Sequence, residues 1–342
     1  MHYIRLALGW ILKICNIFVN NYGLAIILFT IITKALLLPL TVKQQRSMAK
    51  TQRLQPLLTE IQNKYANDKE KQAMETQKLY KKYGVNPMSG CLPLLIQLPI
   101  LFALYWVIKR PIVYLMGFGE DEVWRIVSAI TQWAESVPGG IQEFLTFLNI
   151  SDINILIDNE YKMFSMYEIQ IAEFLNMHPE IMNSQFLVET GKNFDLINFN
   201  FLGLDLSQTP DLGAFGRLLI GQIKGLTLGT VLLWIIPILS GASSYLTSWL
   251  SQKMQPQQQP KKDANGEEQP NPMKSMMTVM PLMSAWFAFT LPAGVGLYWI
   301  VSNILQIVQQ FVLQRIVKSD LTDEQIEGEI VNVKKNRKKR KK

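Results

Sequence analysis

The sequence predicts an all-α integral membrane protein: five transmembrane helices around a hydrophilic groove, with a helical hairpin in the cytoplasm. Three observations carry that prediction. Only 18% of the 342 residues are charged, and they are strongly segregated. The uncharged runs between them are long enough to cross a bilayer, which takes roughly 20 apolar residues. One lysine, Lys34, stands inside the apolar stretch from Asn21 to Thr41, where an ammonium costs at least ~2.5 kcal/mol.

Four uncharged runs stand out: Ile14–Thr33, Tyr83–Ile108, Gly225–Gln252 and Ser275–Gln314. The last is 40 residues long and is interrupted by Leu291-Pro-Ala-Gly294, so it makes two spans joined by a tight turn. The spans fall at 21–42, 89–109, 227–250, 275–291 and 294–315. Residues 1–20 have a different pattern. His2, Arg5, Gly9, Lys13, Asn16 and Asn20 recur every three or four residues, and Ile4, Leu8, Ile11, Ile14, Cys15 and Phe18 take the other side. This suits an amphipathic helix lying on the membrane surface. A cleaved leader is less favoured, because Lys13 interrupts the apolar stretch and no clear small-residue cleavage site follows.

Between the first two spans, residues 43–85 read as a helical hairpin. Met48, Leu54, Leu57, Leu58 and Ile61 mark one face of its first helix, which Pro56 should kink. Ala66-Asn-Asp68 is a turn signal, and a second helix runs from about Lys69 to Tyr83. Its apolar surface looks too small to fold alone, so a dynamic arm lying on the membrane or on a partner is expected. Residues 110–226 are partly helical: Glu122–Ser136, Gly140–Leu148 and Tyr167–Asn176 have amphipathic periodicity. Residues 251–274 contain Gln-Pro-Gln-Gln-Gln-Pro-Lys-Lys, a composition that favours disorder.

Charge sets the expected orientation. Val42–Gly84 carries 10 Lys/Arg against 4 Asp/Glu, Pro111–Leu226 carries 5 against 15, and Phe311–Lys342 carries 10 against 5. Basic segments stay in the cytoplasm. The hairpin and the tail 316–342 are therefore inside, and the long acidic segment and the N-terminus are outside.

Polar residues within the spans are the candidate site. Thr30, Thr33 and Lys34 lie within about one turn of the first span, and Gln97 stands between Pro93 and Pro99 in the second. Ser240, Ser243, Ser244 and Thr247 lie on the third, and Ser302, Asn303 and Gln306 cluster on the fifth. Either these line a wet cavity or they hydrogen-bond between helices. Lys34 either snorkels to an interface or faces such a cavity, and no span holds an acidic residue to pair with it. Tyr298 and Trp299 suit an interfacial aromatic belt or a contact with an incoming span. In the tail, Lys334, Lys335, Arg337, Lys338, Lys339, Arg340, Lys341 and Lys342 are eight bases in nine residues. Such a run reads phosphate, whether of RNA or of anionic lipid, or serves only to anchor topology.

Several function classes are excluded or weakened. With two cysteines and two histidines, neither a disulfide framework nor a His/Cys metal site is expected. There is no P-loop, and no Asp or His lies at membrane depth to serve an intramembrane protease. No cofactor or enzymatic activity is expected. An ion channel or secondary transporter is the main rival, although five spans do not divide into two matching halves.

The order of features is itself specific. A buried cation in the first span and a basic hairpin are followed by Asn86-Pro-Met-Ser-Gly-Cys-Leu-Pro-Leu-Leu-Ile-Gln97-Leu-Pro. Then come Phe201-Leu-Gly-Leu-Asp-Leu-Ser207, Leu291-Pro-Ala-Gly-Val-Gly-Leu-Tyr-Trp-Ile-Val-Ser-Asn303 and Gln309-Gln310. Over about 1–110 and 200–320 the chain closely resembles the YidC/Oxa membrane-protein insertases, and in particular the short Gram-positive bacterial type. The resemblance implies a monomeric five-helix protein of the bacterial plasma membrane. It receives nascent membrane proteins from the ribosome, alone or beside the Sec translocon, through a groove open to cytoplasm and lipid. It also implies that Lys34 is the groove cation, with Thr30 one turn earlier. The family usually has arginine there, and lysine lacks the bidentate fork. The outside segment between about 111 and 200 is longer than in typical short members.

Overall fold

The computed structural model describes residues 2–66, 68–84, 99, 102–103, 105–156, 163–190, 196–221, 227–254 and 272–317. It is mostly helical and divides into two units. Unit 1 comprises Met1–Ile32, Pro99–Ala242 and Leu282–Ser302, and unit 2 comprises Thr33–Leu98, Ser243–Pro281 and Asn303–Lys342.

The helices of the first part are α1 (His2–Val19), α2 (Tyr22–Leu36), α3 (Leu38–Arg53), α4 (Gln55–Lys64) and α5 (Lys69–Lys82). In the acidic segment come α6 (Val123–Ser136), α7 (Gly140–Leu148), α8 (Phe164–Met177) and α9 (Leu212–Leu219). The last are α10 (Leu228–Leu233), α11 (Ile235–Met254), α12 (Pro272–Thr290) and α13 (Ala293–Ile316). Prolines set several of the breaks. A proline ring clashes with the carbonyl four residues earlier and donates no hydrogen bond. Pro39 thus faces the carbonyl of Ala35, and α2 gives way to α3 with a bend of 56°. Pro237 faces that of Leu233, where α10 gives way to α11.

Among the described residues, two helical segments can cross a membrane by length and composition: Leu228–Ser251, formed by α10 and α11, and Ala293–Ile316, which is α13. Tyr22–Leu36 with Leu38–Thr51 qualifies as a third if the bent pair is one span. Much of the predicted second span, Gln97 included, lies outside the described residues.

Unit 1 has an extensive apolar core. Tyr22, Ile26 and Phe29 of α2 share it with Leu12 of α1, Phe144 of α7, Phe174 of α8 and Val295 of α13. Within that core lies a charge cluster. Glu168 is wholly buried, accepts a hydrogen bond from Arg110 Nε, and also accepts one from the Val113 amide at 3.3 Å. Arg110 is itself buried and donates through Nη1 to Glu120 at 2.6 Å. These bonds hold the start of the acidic segment against α8.

A two-stranded antiparallel hairpin, β1 (Asn200–Phe201) and β2 (Leu204–Asp205), completes the unit. Its surroundings satisfy helix starts, whose first amides have no partner inside the helix. The Tyr22 amide donates to the Asn198 carbonyl at 2.9 Å, Ala293 to Gln208 at 2.9 Å, and Gly294 to Leu206 at 3.2 Å. The segment around the hairpin therefore caps both α2 and α13. Gly23 lets the hairpin lie this close, because a Cβ there would run into the Phe201 ring.

In unit 2, α4 and α5 bury Leu54, Leu57, Leu58, Ile61 and Leu79, with Tyr65, Tyr80 and Tyr83 packed around them. Pro56 stands in the first turn of α4, and Asp68 caps α5 by accepting from the Lys71 amide at 3.0 Å. The hairpin thus has a small core of its own. The tyrosine rings add apolar area around it.

Burial pushes Glu168 up to about 7 from an ordinary 4.5, against the pull of Arg110. The folded chain therefore holds this proton more tightly than the unfolded chain. Its stabilising contribution is complete below pH 4.5 and is lost as pH rises through 7. Glu168→Gln, always neutral, is expected to remove that loss. As pH rises from 4.5 through 7 the wild type is expected to lose stability relative to the variant, as read by unfolding of the detergent-solubilised protein monitored through tryptophan fluorescence.

Candidate functional site: a polar face on the span helices

In unit 2, polar side chains of α11 and α13 meet. Asn303 Nδ2 donates to Ser243 Oγ at 3.0 Å and to Ser244 Oγ at 2.8 Å. One heptad further on, Gln310 Nε2 donates to Ser251 Oγ at 3.0 Å. Both members of these pairs advance in sequence together, so α11 and α13 run parallel. Spacing explains the recurrence, since residues seven apart return to the same helix face.

Lys34 and Thr33, in the last turn of α2, are half-buried. The Lys34 carbonyl accepts from Gln309 Nε2 at 3.5 Å. Its ammonium has no acidic partner among the described residues. Gln306 is exposed on α13. Lys34, Asn303, Gln309 and Gln310 with Ser243, Ser244 and Ser251 are thus a set of polar groups carried by apolar helices of one unit.

Thr30, Ser240, Ser302, Tyr298 and Trp299 belong to unit 1 and are packed. Thr30 is wholly buried and donates to the Ile26 carbonyl of its own helix at 2.6 Å. Ser240 is wholly buried, with its hydroxyl 3.1 Å from that of Ser284 on α12. Ser302 and Tyr298 are buried, and Trp299 packs against the unit 1 core with its ring 6.2 Å from that of Phe287. On α11, Thr247 donates back to the Ser243 carbonyl at 2.8 Å. The tail bases Lys334–Lys342 lie outside the described residues.

Sequence reasoning did not single out Gln309, Gln310 and Ser251 as site residues. The signal was present in the seven-residue spacing from Asn303 to Gln310 and from Ser244 to Ser251. Small residues allow close approach at the start of α13. A Cβ on Gly294 would lie 2.9 Å from a ring carbon of Tyr22, the first residue of α2.

Helices apolar enough to span, carrying polar side chains matched to one another, define a polytopic helical membrane protein. The chain belongs to the 60Kd inner membrane protein family, whose family model matches residues 14–320. Several similar proteins are each named membrane protein insertase YidC. The Fusobacterium nucleatum protein is 48% identical over 106 residues, which is 31% of this chain and 52% of the relative. The Caldanaerobacter subterraneus protein is 27% identical over 316 residues, 92% of this chain and 96% of the relative. The Mannheimia succiniciproducens protein is 29% identical over 314 residues, 92% of this chain but 37% of the relative. The matched region is therefore about half or less of some relatives and nearly all of another.

Replacing Asn303 with leucine removes both bonds to the serines and is expected to lower stability by about 1 kcal/mol, the scale of interhelical hydrogen bonds in lipid. Combining Asn303→Leu with Ser243→Ala and Ser244→Ala should cost less than the sum of the separate losses. Thermal unfolding of the single, double and combined variants in one detergent measures the coupling.

Proposed function

We propose that the protein is a membrane-protein insertase and chaperone, which helps nascent membrane proteins to insert and fold through a hydrophilic groove at membrane depth. The observation that carries this reading is the polar face of unit 2, with the Lys34 ammonium lacking an acidic partner among the described residues. Membership of the 60Kd inner membrane protein family and the shared name of its relatives support it.

The physical problem is the polar tail of a new single-span protein. Each unpaired backbone group costs several kcal/mol in hydrocarbon. A water-filled groove lined by Lys34, Thr33, Ser243, Ser244, Asn303 and Gln306 shortens the apolar path that the tail must cross. Gln97 is a further candidate for its wall. The ammonium attracts an acidic tail and releases it afterwards. The substrate's own apolar span supplies the favourable partitioning, and the membrane potential acts on tail charge. The process needs no nucleotide and no cofactor, so the protein is not an enzyme in this reading.

The proposed topology has five spans, with the N-terminus outside and the C-terminus in the cytoplasm of the bacterial plasma membrane. The parallel run of α11 and α13 supports it, because two parallel spans need one crossing between them and α12 stands in that place in the sequence. In this arrangement residues 43–85 are a cytoplasmic arm and 251–274 a cytoplasmic loop. Residues 334–342 bind ribosomal RNA or anionic lipid. The protein acts as a monomer, alone or beside the Sec translocon.

The direct test is insertion into liposomes that contain only this protein. The substrate is a ribosome-synthesised single-span protein with a short acidic N-terminal tail, scored by protease protection. Insertion well above empty liposomes, without ion leakage, is expected. No gain, together with ion or solute flux, would favour a channel or transporter instead. In the same assay Lys34→Ala is expected to lose most insertion of the acidic-tailed substrate, and Lys34→Arg to restore it. Full activity of Lys34→Ala would make the cation accessory. Deletion of Lys334–Lys342 is expected to weaken ribosome co-sedimentation at low salt, and unchanged co-sedimentation would remove the tail from the ribosome-binding role.

A further inference from the structure

The hairpin that caps α2 and α13 has an unusual tip. Leu202 and Gly203 form its two-residue turn, with φ of 54° and 79°. Positive φ at both positions is the backbone of a type I′ turn, for which Asn-Gly or Asp-Gly is the favoured pair. Leucine is disfavoured in that region, since its Cβ crowds the following carbonyl. A side chain that strains the backbone normally returns the cost through packing. Leu202 is instead 86% exposed, more than any other large apolar residue described. Neither the turn nor the core accounts for a leucine here.

Position offers an account. The hairpin is fastened to the beginning of the first span, with Asn21 Nδ2 donating to the Asn200 carbonyl at 2.7 Å and Phe201 lying against Gly23. The tip is two residues beyond Asn200, about 7 Å of strand. It therefore stands close to the level at which α2 and α13 begin, which for a span helix is the membrane boundary. Close in sequence to the fastened residues Asn21 and Gly23, Phe18 near the end of α1 is 79% exposed and Leu24 in the first turn of α2 is 45% exposed.

We propose that Leu202 is a lipid anchor: its side chain dips into the outer leaflet and, with the apolar residues of α1, fixes the height of the capped helix starts in the bilayer. The occupant of this surface is lipid acyl chain. The inference rests on the orientation proposed above, with the acidic segment outside.

The test uses the full chain with Cys15→Ala and Cys91→Ala, carrying a nitroxide on Leu202→Cys, reconstituted in liposomes of phosphatidylethanolamine and phosphatidylglycerol. Collision with oxygen is expected to exceed collision with a water-soluble nickel reagent, as at lipid depth. The reverse ratio would overturn the anchor, and so would a lipid-like ratio that appears only after a second protein is added. Ser151→Cys, exposed in the acidic segment, reports orientation separately through an impermeant thiol reagent added outside. Labelling of Ser151→Cys from outside together with a water-like Leu202→Cys would sink the anchor and leave the insertase reading intact. Labelling of Ser151→Cys from the inside only would overturn both the orientation and the anchor. Leu202→Asn suits the turn better, so its thermal stability in detergent is expected to equal or exceed that of the wild type. A clear loss would show that Leu202 packs within the protein and would overturn the proposal.

Discussion

Hydrocarbon supplies no hydrogen bonds, so each polar group that enters it must find its partner inside the protein or keep water with it. That constraint organises the two ends of the span helices differently. At the starts of α2 and α13 the unpaired amides of Tyr22, Ala293 and Gly294 are met by the carbonyls of Asn198, Gln208 and Leu206. One short segment of the acidic region therefore closes two helix starts, and the small residues Gly23 and Gly294 let it and its neighbours come close enough.

Further along the same helices the polar groups are side chains. Asn303 with Ser243 and Ser244, and Gln310 with Ser251, satisfy one another. Lys34 differs. Its carbonyl is met by Gln309, but its ammonium has no acidic partner among the described residues. In the proposed topology Lys34 lies at membrane depth, where a cation without a counter-ion persists if water reaches it. The insertase reading turns this cost into a function, because the water that solvates Lys34 also solvates the tail of an incoming chain. Membership of the family and the chemistry of this face point the same way from independent directions.

Much of the helical architecture was legible from elementary patterns. Long uncharged runs located α11 and α13, and amphipathic periodicity found α6, α7 and α8 to within a few residues. The isolated charge made Lys34 conspicuous. Long-range pairing was not legible. Arg110 and Glu168 are 58 residues apart, and nothing in either neighbourhood announces a buried pair. The motif from Phe201 to Ser207 carried a family resemblance, yet its work as part of a helix-capping segment appears only when distant chain segments meet. Polarity within a span also proved ambiguous, since it marks any group that needs a partner. Thr30 turns back to its own helix at Ile26 and Ser240 reaches Ser284, while Asn303 bridges to another span.

The central claim is that water reaches the polar face of α13. Its most direct measurement is the rate at which a membrane-impermeant maleimide, added from the cytoplasmic side of native vesicles, alkylates Gln306→Cys and Val308→Cys. Both residues are exposed on α13 and point to different sides of it. The account predicts rapid labelling at 306 and slow labelling at 308, where lipid excludes the reagent. Equal, slow labelling at both would place residue 306 in lipid and contradict a hydrated groove.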